Sequence, residues 1–126
     1  MAKGKKKILI VEDDLSYSNV FSDVFSDEGM HVLSAKNGQE GLDIALKEHP
    51  DLLVVDIAMP VMDGLTMIKK LRENEWGKDA DVILLTNLFD MDKVAEAAEK
   101  GAFDYLVKKD WSMEDLVKKV KKRLNL

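Results

Sequence analysis

The chain contains no cysteine among its 126 residues. This absence excludes a disulfide, a thiol nucleophile and a zinc site with cysteine ligands, and it fits a cytosolic protein. Long apolar runs are also missing, because the run that follows the basic lead MAKGKKK is too short for a signal peptide and no other segment reaches the length of a membrane span. We therefore expect a cytoplasmic protein, with residues 1–6 forming a disordered basic lead.

The length and composition predict a single globular domain over residues 1–126. Hydrophobic residues make up 46% of the chain and charged residues 34%, which is an ordinary balance for a folded protein. The net charge of −5 argues against a general surface for nucleic acid or anionic membrane. We interpret the basic run KKVKKR near the C-terminus as the solvated face and the dipole-matched end of a last helix.

Short apolar runs alternate with segments of helical periodicity along the chain. The runs that predict strands are Ile8 to Val11, Met30 to Ala35, Leu52 to Val55, Val82 to Leu85 and Tyr105 to Val107. The first four helical stripes are Val20, Phe21, Val24 and Phe25; Leu42, Ala45 and Leu46; Leu65, Ile68 and Leu71; and Val94, Ala97 and Ala98. A fifth helix is predicted to begin at Ser112, with Asp115 as its reciprocal capping partner.

Strict alternation of strands and helices predicts an α/β fold with a parallel sheet and right-handed crossovers. Because the strands are almost continuously apolar, helices should cover both faces of the sheet, as in a doubly wound sandwich. In such folds the functional crevice lies outside the carboxyl ends of the strands. Candidate functional residues are therefore those that directly follow each strand.

Chemically matched side chains follow four of the predicted strands. Glu12 and Asp13 follow the first, Asp56 the third, Thr86 the fourth and Lys108 the fifth. Carboxylates gathered at one edge repel one another and need a cation, and oxygen ligands without cysteine favour Mg²⁺. Lysine and hydroxyl donors beside the metal suit a phosphoryl group, for which Asp56 is the candidate nucleophile and acceptor.

Each of these residues also has a simpler structural interpretation when it is taken alone. Asp13 or Asp14 could cap the first helix, and Asp63 could start the third. Competing phosphate chemistries fit the strand ends less well. A flavodoxin-type cradle needs glycine, serine or threonine where VEDD stands, and a haloacid-dehalogenase-like phosphatase carries its aspartate after the first strand.

The motifs VEDD, DLLVVDIAMPVMDG, LLTN and DYLVKK resemble the receiver domain of two-component response regulators, and the resemblance covers almost the whole chain. It implies a five-stranded flavodoxin-like sheet in the order 2-1-3-4-5. It also implies the roles of individual positions. Glu12, Asp13, Asp56 and the carbonyl of Ala58 would bind Mg²⁺, Asp56 would accept the phosphoryl, Lys108 would bind it, and Thr86 and Tyr105 would form the switch.

The resemblance further implies the partners of the chain. A histidine kinase or a histidine phosphotransfer protein would supply the phosphoryl group, and the face made by the fourth helix, fifth strand and fifth helix would contact a downstream protein or a second copy. We expect the domain to assist its own phosphorylation and hydrolysis without turning over a separate substrate. The alternative is a receiver-shaped scaffold that binds partners without being phosphorylated.

The sequence departs from the family pattern at two places. Lys109 stands where the family usually has a proline after a cis bond, so we predict a trans or strained bond there. Asn87 is larger than the small residue that usually follows the switch hydroxyl. In addition, Ala58 and Leu88 carry no polar group to orient a water molecule, which predicts slow self-dephosphorylation.

Overall fold

The computed structural model describes residues 5–87, 89–101, 103–110 and 112–126. Along this part of the chain the strands are β1 (Lys7–Val11), β2 (His31–Ala35), β3 (Leu52–Asp56), β4 (Val82–Thr86) and β5 (Asp104–Val107). The helices are α1 (Leu15–Asp27), α2 (Gly38–Glu48), α3 (Gly64–Arg72), α4 (Met91–Gly101) and α5 (Met113–Arg123). Leu88, which we expected to affect phosphoryl lifetime, lies outside the described residues, as does most of the basic lead.

The strands form one parallel sheet in the order β2-β1-β3-β4-β5. This order confirms the arrangement that the family resemblance implied. It places β1 beside β3, with Val11 opposite Val55, and β4 between β3 and β5. The residues that follow these strands therefore meet at one edge of the sheet.

Two apolar layers cover the two faces of the sheet. Alternate residues of each strand point to opposite faces, so that Leu9 and Val11 join one layer while Ile8 and Ile10 join the other. The first layer contains buried residues of α2, α3 and α4, and the second contains those of α1 and α5. The prediction of a sheet covered on both faces is thereby confirmed.

Local signals in the sequence set the helix ends. Asp14 caps α1, because its Oδ1 accepts hydrogen bonds from the backbone N–H groups of Ser16 and Tyr17. Asp63 caps α3 in the same way, and the predicted capping box at Ser112 is present at α5. Within the described part of the chain, no helix is long and apolar enough to cross a membrane.

Candidate functional site

Three carboxylates meet where β1 and β3 end. Glu12 and Asp56 are almost completely buried, with exposed fractions of 4% and 3%, whereas Asp13 is exposed. One oxygen from each of the three residues can be chosen so that all lie within 4.8 Å of one another. The acidic cluster that we predicted from the strand ends is therefore present in the fold.

Glu12 carries an unusual environment for a carboxylate. Its Oε2 accepts a hydrogen bond of 3.1 Å from the backbone N–H of Asp14, while its buried Oε1 has no hydrogen-bond partner among the described residues. Burial raises the pKa of Glu12 to about 7, the Asp14 N–H opposes this, and the nearby Asp56 adds to it. An uncompensated buried oxygen of this kind is costly unless a proton or a cation joins it.

Burial and a nearby positive charge have opposite effects on the pKa of Asp56. Burial raises its pKa above the ordinary value, and Lys108 partly offsets that rise. Lys108 Nζ forms an ion pair with Asp56 Oδ1. For Lys108, burial alone would lower the pKa, but the hydrogen bond and charge of Asp56 outweigh it and raise the pKa. Lys108 therefore stays cationic at the carboxylate that it contacts.

The donor set fits Mg²⁺. Glu12, Asp13 and Asp56 supply oxygen atoms only, which hard cations prefer. The orphaned Oε1 of Glu12 gives an independent reason for a cation at this place, since a bound ion would supply the partner that the protein does not. Ala58, whose carbonyl the resemblance adds to the ligands, lies exposed in the loop after β3.

Thr86 lies on β4, which neighbours β3, and Tyr105 lies on β5, the next strand beyond it. Thr86 ends β4, is fully buried, and donates a hydrogen bond of 3.1 Å from its hydroxyl to the carbonyl of Asn87. It is opposite Val107, one residue before Lys108. Tyr105 is half-buried and packs against the apolar layer between the sheet and helices α2, α3 and α4.

The loop that carries Lys108 forms a short 3₁₀ turn over Lys108–Asp110. No cis peptide bond occurs among the described residues, so the bond between Lys108 and Lys109 is trans. The predicted trans bond is thereby confirmed. Lys109 itself is exposed.

Sequence reasoning missed one neighbour of the site. The ring of Tyr17, in the first turn of α1, lies 5.9 Å from Lys108 Nζ in a cation–π arrangement. Tyr17 also contacts the buried Phe21 ring one turn later, at 6.3 Å between centroids. The spacing of these two aromatic residues and their closeness to VEDD were the available signals. Tyr17 thus adds a second contact to the lysine that meets Asp56.

The raised pKa of Glu12 predicts a pH-dependent loss of stability in the metal-free protein. Its pKa rises from 4.5 to about 7 on folding, so the folded state binds the proton more tightly than the unfolded state does. The stabilisation that this tighter proton binding provides is fully present below the pKa of Glu12 in the unfolded state. It is lost as the pH rises through the pKa of Glu12 in the folded state. At about pH 8, Glu12→Gln should therefore raise the free energy of unfolding by up to about 3 kcal/mol.

Urea denaturation in the presence of a chelator measures this effect. The gain should shrink to almost nothing at about pH 4, where both states hold the proton. The exposed Glu99 provides the matched control, because Glu99→Gln makes the same chemical change away from the cluster. An equal gain for Glu99→Gln, or a gain for Glu12→Gln that does not depend on pH, would contradict the prediction.

Comparison with known proteins agrees with this geometry. The family described as the response regulator receiver domain matches residues 8–121. The sporulation initiation phosphotransferase F of Bacillus subtilis is 34% identical over 121 residues, which cover 96% of this chain and 95% of that protein. Chemotaxis protein CheY4 of Vibrio cholerae has a similar structure, with a TM-score of 0.83 at 28% identity, covering 94% of this chain and 98% of that chain.

The chain spans less than half the length of some other curated relatives. A regulator named ycf27 from Porphyridium aerugineum is 38% identical over 104 residues, which are 82% of this chain and 42% of that protein. The common element is the domain that the fold and the strand-end cluster define. The chain belongs to the response regulator receiver domain family of two-component systems.

Proposed function

We propose that this domain accepts a phosphoryl group on Asp56 from a phosphohistidine of a cytoplasmic partner, either a histidine kinase or a histidine phosphotransfer protein. The observation that carries the proposal is the buried Asp56 carboxylate, which forms an ion pair with Lys108 and lies in a cluster with Glu12 and Asp13. Burial holds the Asp56 carboxylate in place, and Lys108 keeps a positive charge beside it. In-line phosphoryl transfer requires both a positioned nucleophile and a cation close to the transferred group.

In the proposed transfer, an oxygen of Asp56 attacks phosphorus. A phosphorus–oxygen bond forms, the phosphorus–nitrogen bond of the donor breaks, and the imidazole nitrogen keeps the electron pair and takes a proton. Lys108 Nζ would turn from the Asp56 carboxylate to a phosphoryl oxygen and stabilise its charge. Glu12, Asp13, Asp56 and the carbonyl of Ala58 would hold Mg²⁺, which when bound supplies neutralisation of the charge shared by carboxylates and phosphoryl group.

Exposed apolar side chains around the acidic cluster support a protein as the phosphoryl donor. Val61 and Phe89 follow β3 and β4 and are 81% and 98% exposed. Leu15 and Tyr17, at the start of α1, are 73% and 56% exposed. All four lie in segments that begin at the carboxyl edge of the sheet, so a partner that reaches Asp56 could bury them.

The conformational change that we propose to follow phosphorylation involves Thr86 and Tyr105. The Thr86 hydroxyl, which donates to the Asn87 carbonyl in this structure, would donate to a phosphoryl oxygen instead. Tyr105, which is only half-buried, would then change its packing and alter the face formed by α4, β5 and α5. That face would contact the downstream protein or a second phosphorylated copy, as a population shift between two packings.

Slow self-dephosphorylation completes the proposal. Ala58 lies exposed near the acceptor and has no polar side chain that could orient an attacking water molecule. Once formed, the acyl phosphate should therefore persist well beyond seconds in the isolated protein. Decay of the phosphorylated mass within seconds would contradict this part.

Intact-mass spectrometry after incubation with acetyl phosphate tests the proposal. With Mg²⁺, the wild type should gain one phosphoryl group, about 80 Da, and Asp56→Ala should gain none. Asp43→Ala, an exposed position on α2, is the matched control and should behave as the wild type. Removal of Mg²⁺ with a chelator should abolish the gain. No gain in folded wild-type protein, from acetyl phosphate or from phosphohistidine donors, would favour the scaffold alternative.

A further inference from the structure

A groove of about 460 Å³ lies between α3 and α4, outside the carboxylate cluster. Its apolar lining comes from Leu65 and Ile68 of α3, Ala97 of α4, and Phe103 before β5. The volume falls within the range of ligand-binding pockets, which is roughly 300–1,000 Å³. The groove is therefore large enough for one or two large side chains of a partner.

Small residues on α4 leave this groove open. Leu65, Lys69 and Arg72 form one row along α3, and the facing lining of α4 includes Ala97 and Gly101. A Cβ atom at Gly101 would meet the Phe103 ring at 3.1 Å. The Phe103 ring therefore occupies the space that a larger side chain at position 101 would need. The remaining space between α3 and α4 forms the groove.

Hydrogen bonds from Arg72 hold the end of the groove. Arg72 Nε donates to the carbonyl of Gly101 at 2.8 Å, which ties the end of α3 to the end of α4. Its Nη1 donates to the carbonyls of Gly77 and Ala80, each at 2.7 Å. The guanidinium is therefore committed to backbone groups. The shape of the groove is established by the fold itself, without a ligand.

The charged lining of the groove is opposite in sign to the protein as a whole. Lys69, Lys93 and Lys100 line it together with Arg72, against the single carboxylate of Asp63. Lys100 forms an exposed ion pair with Glu96 at 3.4 Å, whereas no ion pair within the described residues involves Lys69 or Lys93. On a chain of net charge −5, this local positive surface selects for a negatively charged ligand.

We propose that the α3–α4 groove binds a short acidic segment of a partner protein that carries a large apolar side chain. The apolar side chain packs against Leu65, Ala97 and Phe103, and flanking aspartate or glutamate residues meet Lys69 and Lys93. Charge complementarity favours this occupant over a second copy, because a symmetric contact between two copies would bring the lysine-lined grooves, which have the same charge, against each other. The inference goes beyond the phosphoacceptor function and does not depend on it.

Fluorescence anisotropy with a labelled peptide tests the inference. The probe is an octapeptide of the sequence DEDLFEDE, and the comparison peptide DEDSSEDE has the same charge without the apolar pair. The Lys69→Glu, Lys93→Glu double variant should weaken binding of the probe by roughly tenfold or more. The Lys47→Glu, Lys122→Glu double variant makes the same charge change on α2 and α5, and should weaken it by only about threefold.

A third variant tests the apolar part of the groove. Ala97→Leu adds volume to the lining without changing charge, at a helical position where leucine is well tolerated. It should also lower affinity by roughly tenfold, and amide resonances that shift with the wild type should belong to α3 and α4. Asp56→Ala should bind the probe as the wild type does, which separates this inference from the phosphoacceptor proposal.

Several results would overturn the inference. These are equal binding of the two peptides, equal effects of the two lysine double variants, resonance shifts outside α3 and α4, or no binding at all. Shifts of the same groove residues with protein concentration in the absence of peptide would identify a second copy as the occupant.

Discussion

Phosphorylation of Asp56 by acetyl phosphate should slow by roughly 100-fold when Lys108 is replaced by alanine. In the structure Lys108 Nζ forms an ion pair with Asp56 Oδ1, and the proposed transfer needs this cation at the phosphoryl oxygens. Lys108 also lowers the pKa of Asp56 against the effect of burial. Without it the carboxylate should ionise only at higher pH, so the acid limb of the rate profile should move upward.

Quenched intact-mass measurements over a series of pH values, with Mg²⁺ in excess, give both the rate and its profile. Lys109→Ala is the matched control, because the neighbouring lysine is exposed and makes no ion pair within the described residues. Its rate should stay within about threefold of the wild type. The prediction fails if the two variants slow equally, or if Lys108→Ala lowers the rate without moving the profile.

Gly64→Ala should lower the free energy of unfolding by about 3 kcal/mol. Gly64 is the buried first residue of α3, and its backbone N–H donates to the carbonyl of Ile57. A Cβ atom there would lie 2.5 Å from the carbonyl oxygen of Asp56 and 2.9 Å from Leu84 Cδ1. Because backbone cannot move aside as a flexible side chain can, either α3 or the end of β3 must shift.

Chemical denaturation, together with phosphorylation of the folded fraction, separates the two consequences of this change. A shift at the end of β3 displaces Asp56, so folded Gly64→Ala should also be phosphorylated more slowly than the wild type. Gly101→Ala is the control, since its added Cβ meets only the Phe103 side chain, at 3.1 Å. It should cost less than about 1 kcal/mol. Equal losses for the two alanines would show that close approach to backbone is not the cause.

Hydrophobic periodicity was sufficient to predict the elements of this fold. Leu52 to Val55 is an uninterrupted apolar run, because both faces of β3 are buried. A strand that is apolar on both faces does not, however, indicate which other strands lie beside it in the sheet. The strand order came from the resemblance to receiver domains, while the burial of both faces followed from the residues themselves.

The residues that form the site could be predicted from the sequence, but the contacts between their side chains could not. Glu12, Asp13 and Asp56 could be brought together from the rule that strand ends meet at one edge. The orphaned Glu12 oxygen, the Tyr17 ring near Lys108 and the Thr86 bond to Asn87 depend on side-chain directions that no one-dimensional pattern contains. The α3–α4 groove was invisible for a related reason: periodicity identifies the apolar side of a helix and does not reveal the gap between two helices.

The position of α4 has a thermodynamic consequence for the protein. This helix follows the Thr86 end of β4, and its Ala97 and Gly101 line the groove against α3. A group attached to Asp56 and a peptide in the groove would therefore act on the same helix. Linkage requires that the coupling be reciprocal, typically about 1–3 kcal/mol where it exists. If phosphorylation raises the affinity of the groove for the peptide by some factor, the bound peptide must favour phosphorylation of Asp56 by the same factor. A partner bound in the groove would therefore lower the concentration of phosphoryl donor needed to phosphorylate the domain.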